Sequence, residues 1–225
     1  MTTTDSPRSG GVPADNAAAN PVDRKSRRTR MSSEARRVQL IELGLEMVAQ
    51  RPLEQVSIDA IAEVAGVSRA LLFHYFESKQ DFHVAIAQAQ GEQLLACTSP
   101  DESLSDSGEV LRSSLSAFID YVGARRDAYL AFLRGASSTD PAMRKVVDDT
   151  RAQMVQRILD RAPELGVENS DYTRLVVFGW IAFGEEVTIS WLTEPLITRD
   201  ELLQMITDSL LAITLSAPSR GTEQH

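Results

Sequence analysis

The chain has 225 residues, enough for one sizeable domain or for two smaller ones that share a core. Hydrophobic residues make up 43% of it, which excludes a wholly disordered chain, and the single cysteine, Cys97, excludes an intramolecular disulfide and a multi-cysteine metal site. The net charge of −9 is unevenly placed, because the arginines and lysines between positions 24 and 37 are opposed only by Glu34. The chain therefore has a basic N-terminal segment and an acidic body.

The N-terminal residues lack the apolar core of a secretory signal. The longest apolar run, Leu175 to Gly184, is too short to cross a bilayer. We therefore expect a cytoplasmic protein without a membrane partner. The Thr-, Ser-, Ala- and Pro-rich composition of residues 1–23 predicts disorder, so residues 1–32 are expected to form a disordered arm with a basic segment at 24–30.

Four helices are predicted in the first hundred residues from apolar positions at helical spacing, over 33–50, 58–65, 69–76 and 79–96. Three of them follow serines that are good N-caps, namely Ser57, Ser68 and Ser78. Arg51-Pro52 ends the first helix, because proline disfavours helical geometry in the residue before it. Gly66 supplies the left-handed turn that ends the second.

After a Ser-, Asp- and Glu-rich loop at 100–108, five more periodic segments predict helices, over 109–126, 127–137, 140–161, 171–193 and 199–215. The sequence shows no strand pattern and no internal repeat. We expect an all-α fold of about nine helices, with a three-helix N-terminal domain over 33–93, a larger helical domain over 94–216 and a flexible tail over 217–225.

Two short helices joined by a turn that contains glycine are typical of a helix-turn-helix. The start and the outward positions of the second helix offer hydrogen-bonding and small apolar groups that suit base edges and thymine methyl groups in a major groove. These predicted DNA-binding positions are Ser68, Arg69, Ala70, Leu71, His74 and Tyr75. Leu72 and Phe76 are expected to point into the core instead.

Two further residues are predicted to hold phosphate. Lys79 stands at the first position of the fourth helix, where the helix dipole disfavours a cation unless an external anion binds the same helix end. The alternative is an exposed lysine that tolerates the position. Ser57 is expected to cap its helix and touch phosphate, although most serines at such positions only cap.

Residues 37–82 resemble the DNA-binding domain of the TetR family of bacterial regulators. The matching positions are Arg37, Leu40-Ile41, Gly44, Met47-Val48, Ile61-Ala62, Ala65-Gly66-Val67-Ser68, Tyr75-Phe76-Glu77-Ser78-Lys79 and Phe82. The resemblance implies a homodimer on double-stranded operator DNA, read by the helix that begins at Arg69. Phe73 stands where the family often has tyrosine, which leaves Tyr75 as the expected phenol donor.

The basic arm would then lie along a minor groove or the flanking DNA backbone, as short basic arms do. Its predicted contacts are Arg27, Arg28 and Arg30.

The resemblance also implies that the larger domain binds an effector and dimerises. Segment 171–193 is apolar on more than one face, so it needs burial on nearly all sides. The predicted dimer interface is Trp180, Trp191, Leu203, Ile206 and Leu210, although these residues would fit a monomer core as well. The predicted ligand pocket is Phe118, Tyr121, Tyr129, Phe132, Met154 and Phe183, each of which also fits plain core.

The sequence gives no support for catalysis. It has three histidines and no set of side chains with metal-ligand spacing, and no glycine loop of the kind that cradles phosphate. We expect neither an enzyme nor a bound metal or cofactor. The predicted function is a repressor released from its operator by a small, largely apolar effector. An architectural DNA-binding protein, or an activator without such an effector, is the alternative.

Overall fold

The computed structural model describes residues 31–134 and 140–215, and within these ranges it contains α-helices and no strands. The helices are α1 (Ser33–Val48), α2 (Ile58–Ala65), α3 (Arg69–Tyr75), α4 (Lys79–Cys97), α5 (Ser107–Ala124), α6 (Arg126–Arg134), α7 (Pro141–Arg161), α8 (Asp171–Thr193) and α9 (Arg199–Leu215). Short 3-10 turns occupy Leu53–Gln55 and Ala162–Leu165. The predicted all-α class and helix order are confirmed.

The helix boundaries follow the local chemistry of the sequence. The side-chain oxygens of Ser57, Ser68 and Ser78 accept hydrogen bonds from backbone N–H groups three residues later, at 3.1, 3.2 and 3.0 Å. Gly66 ends α2 in the left-handed conformation, with φ of 63°. Helix α1 ends at Val48, two residues before the predicted end, and α3 ends one residue early, at Tyr75.

Two clusters of buried side chains form the interior. The first joins α1 to α4 with the facing ends of α6 and α7, and its most buried large side chains include Leu40, Ile61, Leu72, Phe76 and Phe82. The second fills the space between α5, α7, α8 and α9. Gly44 allows close packing of α1 on α4, because a Cβ there would lie 2.6 Å from Ile86 Cδ1 and the Ile86 side chain would have to shift.

Helix α4 contributes to both clusters, with Phe82 and Ile86 in the first and Leu94 in the second. It runs without a break through the predicted domain boundary between residues 93 and 94. The described residues from Ser33 onward form one compact unit, in which α4 links the two clusters without a break.

Helix α8 is the most apolar of the long helices. Among the residues that the structure describes, it alone is long and apolar enough, by length and composition, to cross a membrane. Core helices of soluble proteins pass the same test. Its buried face includes Val177, Trp180, Ile181 and Ile189, which pack within the second cluster.

Candidate DNA-binding surface and effector cavity

The exposed face of α3 is the candidate surface for DNA bases. Helices α2 and α3 are joined by the three residues 66–68, the geometry of a helix-turn-helix. Arg69, Ala70 and His74 are exposed, and Leu71 and Tyr75 are half-buried. The two residues expected in the core, Leu72 and Phe76, are buried.

Phe73 belongs to the same exposed face and was not among the predicted outward residues. Its side chain is 43% exposed, and the guanidinium carbon of Arg69 lies 5.5 Å from the centre of its ring. The sequence could have predicted that Phe73 is exposed, because residues four apart share a helix face and Arg69 was already predicted to point outward. An exposed ring here offers a flat apolar surface toward thymine methyl groups.

Arg69 is held along the surface by two contacts within the chain. Its Nη1 donates to both carboxylate oxygens of Asp59 on α2, at 3.0 and 3.1 Å, and the guanidinium also lies beside the ring of Phe73. Both members of the ion pair are well exposed, so the pair is weak. DNA can therefore displace Asp59 from Arg69 at small cost.

Lys79 bridges the first turn of α4 and the 3-10 turn that precedes α2. Its Nζ donates to the carbonyl oxygen of Glu54 at 2.9 Å, an exposed contact. This carbonyl explains how a cation is accommodated at a helix N-terminus in the absence of DNA. An ammonium has three donors, so two are left for an anion.

Histidine 83 is a core residue rather than a DNA contact. Its Nε2 lies 2.8 Å from the carbonyl oxygen of Val56, and the side chain is buried. A carbonyl only accepts, so Nε2 carries the hydrogen and donates it. Burial lowers the pKa of His83, which keeps the ring neutral at neutral pH. The bond fastens α4 to the residues just before α2.

The predicted arm contacts Arg27, Arg28 and Arg30 lie outside the described residues, so their role stays a prediction. The nearby Arg37, which follows the arm on α1, has its guanidinium carbon 5.3 Å from the centre of the Phe76 ring. One arginine of the basic stretch 24–37 therefore lies against the ring of the residue that follows α3.

A cavity of about 110 Å³ lies between α5, α7 and α8, beside the residues that follow α4. Its walls are mostly apolar, and they include Val110, Leu111, Leu115, Phe118, Met154, Ile158, Trp180 and Ile181. Its polar and charged lining comes from Thr98, Ser107, Ser114, Arg157, Arg161 and Glu185. A mostly apolar cavity with a few converging polar groups is the usual form of a small-molecule site.

The six predicted pocket residues lie in three different places in the structure. Phe118 and Met154 line the cavity. Tyr121, Tyr129 and Phe132 line a separate space of about 10 Å³, large enough for a single water at most. Phe183 was placed wrongly, because it lies on the outer side of α8 with 37% of its side chain exposed.

Glu185 is a buried carboxylate at the cavity wall, and it is held on two sides. Nε of Arg151 donates at 3.1 Å and Nη2 at 2.5 Å to one oxygen, and the Tyr129 hydroxyl donates to the other at 3.1 Å. Burial, followed by the charge of Glu185, raises the pKa of Tyr129 well above its usual value, so the phenol stays protonated. The charge of Glu185 is therefore compensated inside the protein.

Two arginines from the end of α7 line the cavity as well. Nη1 of Arg157 donates to the carbonyl oxygen of Leu95, in the last turn of α4, at 2.6 Å. Arg161 pairs with Glu102 at 3.2 Å and with Glu164 at 3.6 Å. The Ser107 hydroxyl also donates to Glu164, so these groups gather at one end of the cavity.

Four of the five predicted interface residues lie in the interior of this chain. Trp180, Leu203, Ile206 and Leu210 are at most 4% exposed, so their side chains pack within one protomer and cannot form a surface for a second one. The indole of Trp180 donates to the backbone carbonyl of Ile206 at 3.0 Å and lines the cavity. Trp191 is half-buried and donates to the carbonyl of Ile197.

A different face of α8 and α9 carries exposed apolar side chains. We call it the α8–α9 face and define it by Leu175, Phe178 and Phe183 on α8 with Met205 and Ile213 on α9. Gly179 lies among the α8 residues, and a Cβ built on it would meet nothing within 4 Å. The sequence pattern missed this face because α8 is apolar nearly all round.

No group of three or more His, Cys, Asp or Glu side chains with the arrangement of a metal site occurs in the part of the chain that the structure describes.

The comparisons with known proteins cover both parts of the chain. Residues 40–86 match the family model described as bacterial regulatory proteins, tetR family, and residues 107–213 match the one described as tetracyclin repressor-like, C-terminal domain. The HTH-type transcriptional activator FasR of Mycolicibacterium smegmatis is 25% identical over 76% of this chain and 79% of its own length.

Solved structures show the same fold. A tetR-family transcriptional regulator from Streptomyces coelicolor is similar with a TM-score of 0.70 and 29% identity, over 82% of this chain and 83% of its own. The regulator FadR from Bacillus subtilis, solved in complex with stearoyl-CoA, is similar with a TM-score of 0.58 and 18% identity, over 80% and 97%.

Proposed function

This chain belongs to the TetR family of bacterial transcriptional regulators, and from that premise we propose that it is a homodimeric repressor whose hold on operator DNA is ended by a small, largely apolar effector. One observation carries the proposal. Helix α4 begins at Lys79, separated from the end of α3 by three residues, and is followed directly by Thr98, a residue that lines the cavity. An effector in the cavity thus has a direct structural route to the helix-turn-helix.

Dimerisation is supported by the α8–α9 face. Exposed apolar side chains that cluster on two adjacent helices are typical of protein interfaces. If two copies pair through this face about a two-fold axis, each presents one α3 helix. Two recognition helices about 34 Å apart would read successive major grooves on one side of the duplex.

The cavity supports an effector with an apolar body. Its volume of about 110 Å³ is well below the roughly 300–1,000 Å³ typical of small-molecule sites. A larger effector therefore has to extend out of the cavity or widen it, and a state with a wider cavity binds such an effector better. The FadR structure, which holds stearoyl-CoA on the same fold, suggests long-chain molecules as the first to test.

Activation is the second candidate, because the Mycolicibacterium smegmatis relative is named as an activator. In vitro transcription from a promoter that carries the operator separates the two functions. For a repressor, the protein lowers transcript yield and the effector restores it. Transcript yield that rises when the protein is added would establish activation instead.

Selection from random DNA tests the proposal as a whole. We expect a two-fold symmetric site with half-sites about 10 base pairs apart, bound about 10³-fold or more tightly than random DNA at one fixed salt concentration. Equal affinity for the selected and random sequences would indicate an architectural protein and exclude a sequence-specific regulator.

Replacing Arg69 by alanine should weaken operator binding and relax base preference. Loss of a hydrogen-bonding guanidinium at base edges costs about 1–3 kcal/mol, so we expect about 5- to 100-fold weaker binding of operator and little change on random DNA. The measurement is fluorescence anisotropy on both DNAs. Asp59→Ala is the control, since it removes the intramolecular partner of Arg69 and keeps the guanidinium. Equal losses on both DNAs would show that Arg69 only touches phosphate.

Replacing Lys79 by alanine should weaken binding to all sequences alike. A cation at a phosphate contributes by counterion release, so the slope of log affinity against log salt should fall by about 1. The titration is run on operator DNA over several salt concentrations. Arg144→Ala, at an exposed position of α7, is the control for the loss of one positive charge away from the DNA-binding surface. An unchanged slope in Lys79→Ala would leave the lysine with its bond to the Glu54 carbonyl as its only role.

A further inference from the structure

The charges around the cavity do not cancel. Glu185 is compensated by Arg151 and the Tyr129 hydroxyl. Arg161 is compensated by Glu102 and Glu164. Arg157 makes no ion pair with a carboxylate among the described residues, and its hydrogen bond goes to a neutral carbonyl. A half-buried guanidinium without a counter-ion favours an anion in the cavity.

Four of the six polar lining residues come from helix ends that contact one another, since Arg157 bonds to Leu95 and both Arg161 and Ser107 bond to Glu164. Thr98 follows α4, Ser107 begins α5, and Arg157 and Arg161 come from the last turns of α7. Of the remaining lining residues only Ser114 and Glu185 are polar, and the apolar ones include Phe118 and Trp180. A molecule that satisfies both parts has an apolar body and an anionic group at one end.

The hydrogen bond of Arg157 also ties the cavity to α4. It reaches the carbonyl of Leu95, a last-turn carbonyl of α4 that also accepts a hydrogen bond from the Ser99 hydroxyl at 3.0 Å. A positively charged donor at a helix C-terminus stabilises that end. Arg157 therefore holds the end of the helix whose beginning packs in the DNA-binding core.

We propose that the cavity binds an amphiphile with a carboxylate or phosphate group, and that Arg157 exchanges the Leu95 carbonyl for this anion, which removes one of the two side-chain hydrogen bonds on that carbonyl and loosens the last turn of α4. The proposal rests on the proposed function, because it names the effector class and the coupling residue of that site. The guanidinium is charged in both states, and an anion adds a charge attraction that the neutral carbonyl lacks, so an anion in the cavity competes with the Leu95 carbonyl for Arg157. The loosened α4 lets the widened, DNA-free conformation dominate.

The test compares single-chain probes that differ in head group. The protein is the full chain with Trp191→Phe, so that Trp180 in the cavity wall is the sole tryptophan and its fluorescence reports binding. The probes are decanoate, decyl phosphate, decanol and decyltrimethylammonium. We expect both anions to bind about tenfold or more tightly than decanol, since a hydrogen bond to a charged group is worth more than the equivalent of one decade in affinity. The stronger of the two anions identifies the carboxylate or phosphate source.

Arg157→Gln should remove the preference for anions and leave decanol binding unchanged. Arg157→Lys, which keeps the charge, should retain it. Arg144→Gln is the matched control from the same helix, and we expect less than about threefold change because Arg144 is exposed and does not line the cavity. Operator affinity is measured alongside. Decanoate should weaken it in the Trp191→Phe protein and have no effect once Arg157→Gln is added.

The outcomes separate the two proposals. If decanol binds as tightly as decanoate, or if Arg157→Gln responds to decanoate like the parent, the anion exchange is overturned and the apolar effector site remains. If no probe changes Trp180 fluorescence or operator binding, the effector-binding part of the proposed function fails as well. Anion-specific binding that depends on Arg157 and weakens operator affinity supports the exchange.

Discussion

Replacing Arg151 by leucine is expected to lower the free energy of unfolding by about 3–5 kcal/mol, because it leaves the Glu185 carboxylate buried without its cation. Glu185 is 5% exposed, and Arg151 supplies its shortest hydrogen bond. The remaining Tyr129 hydroxyl donates a single hydrogen bond, too little to compensate a buried charge. Urea unfolding followed by circular dichroism gives the change directly from the shift in midpoint.

Two further variants assign that loss to the buried charge. Arg151→Leu combined with Glu185→Gln removes the charge and keeps an acceptor for Tyr129, so it should recover most of the lost stability. Lys145→Ala removes an exposed pair with Asp149 on the same helix and should cost less than about 1 kcal/mol. If Arg151→Leu costs no more than Lys145→Ala, then Glu185 is solvated and does not depend on the pair.

Sequence reasoning recovered most of the fold because helix boundaries are set by local chemistry. Ser57, Ser68 and Ser78 each cap a helix through an N–H three residues later, and Gly66 adopts the left-handed turn that a side chain disfavours. Arg69 could be assigned as exposed and Leu72 as buried because the helix-turn-helix buries one defined side of α3. The exposed set of α3 was incomplete only at Phe73.

The sequence could not predict which way an evenly apolar helix faces. On α8, Trp180 was predicted at the dimer interface but is buried within the chain, and Phe183 was predicted in the pocket but is exposed. Periodicity carries no signal about orientation when nearly every position of a helix is apolar. Contacts between residues that are far apart in the sequence could not be predicted either. Arg151 meets Glu185 across 34 positions and Arg157 meets Leu95 across 62, and such contacts follow only from the packing of α7 on α8 and α4.

Replacing Phe178 by glutamate is expected to convert the proposed dimer to a monomer and to weaken operator binding by about 10²-fold or more. Phe178 stands in the α8–α9 face with 45% of its side chain exposed in one protomer. In a dimer with a two-fold axis the substitution occurs once in each protomer, so the interface would gain two buried charges of the same sign. A monomer holds one half-site only, and the loss of simultaneous contact to both accounts for the expected drop. Sedimentation velocity and DNA-binding titrations measure the two effects.

The position of the substitution makes this test independent of folding. An exposed side chain contributes little to protomer stability, so Phe178→Glu should unfold at nearly the same urea concentration as the parent when both are monomeric. Ala152→Glu puts the same charge on an exposed position of α7 and should leave assembly and operator binding unchanged. A Phe178→Glu protein that stays dimeric would exclude the α8–α9 face. A monomer that still binds the full operator as tightly as the parent would exclude two-fold reading, because one α3 helix contacts too few base pairs for that affinity.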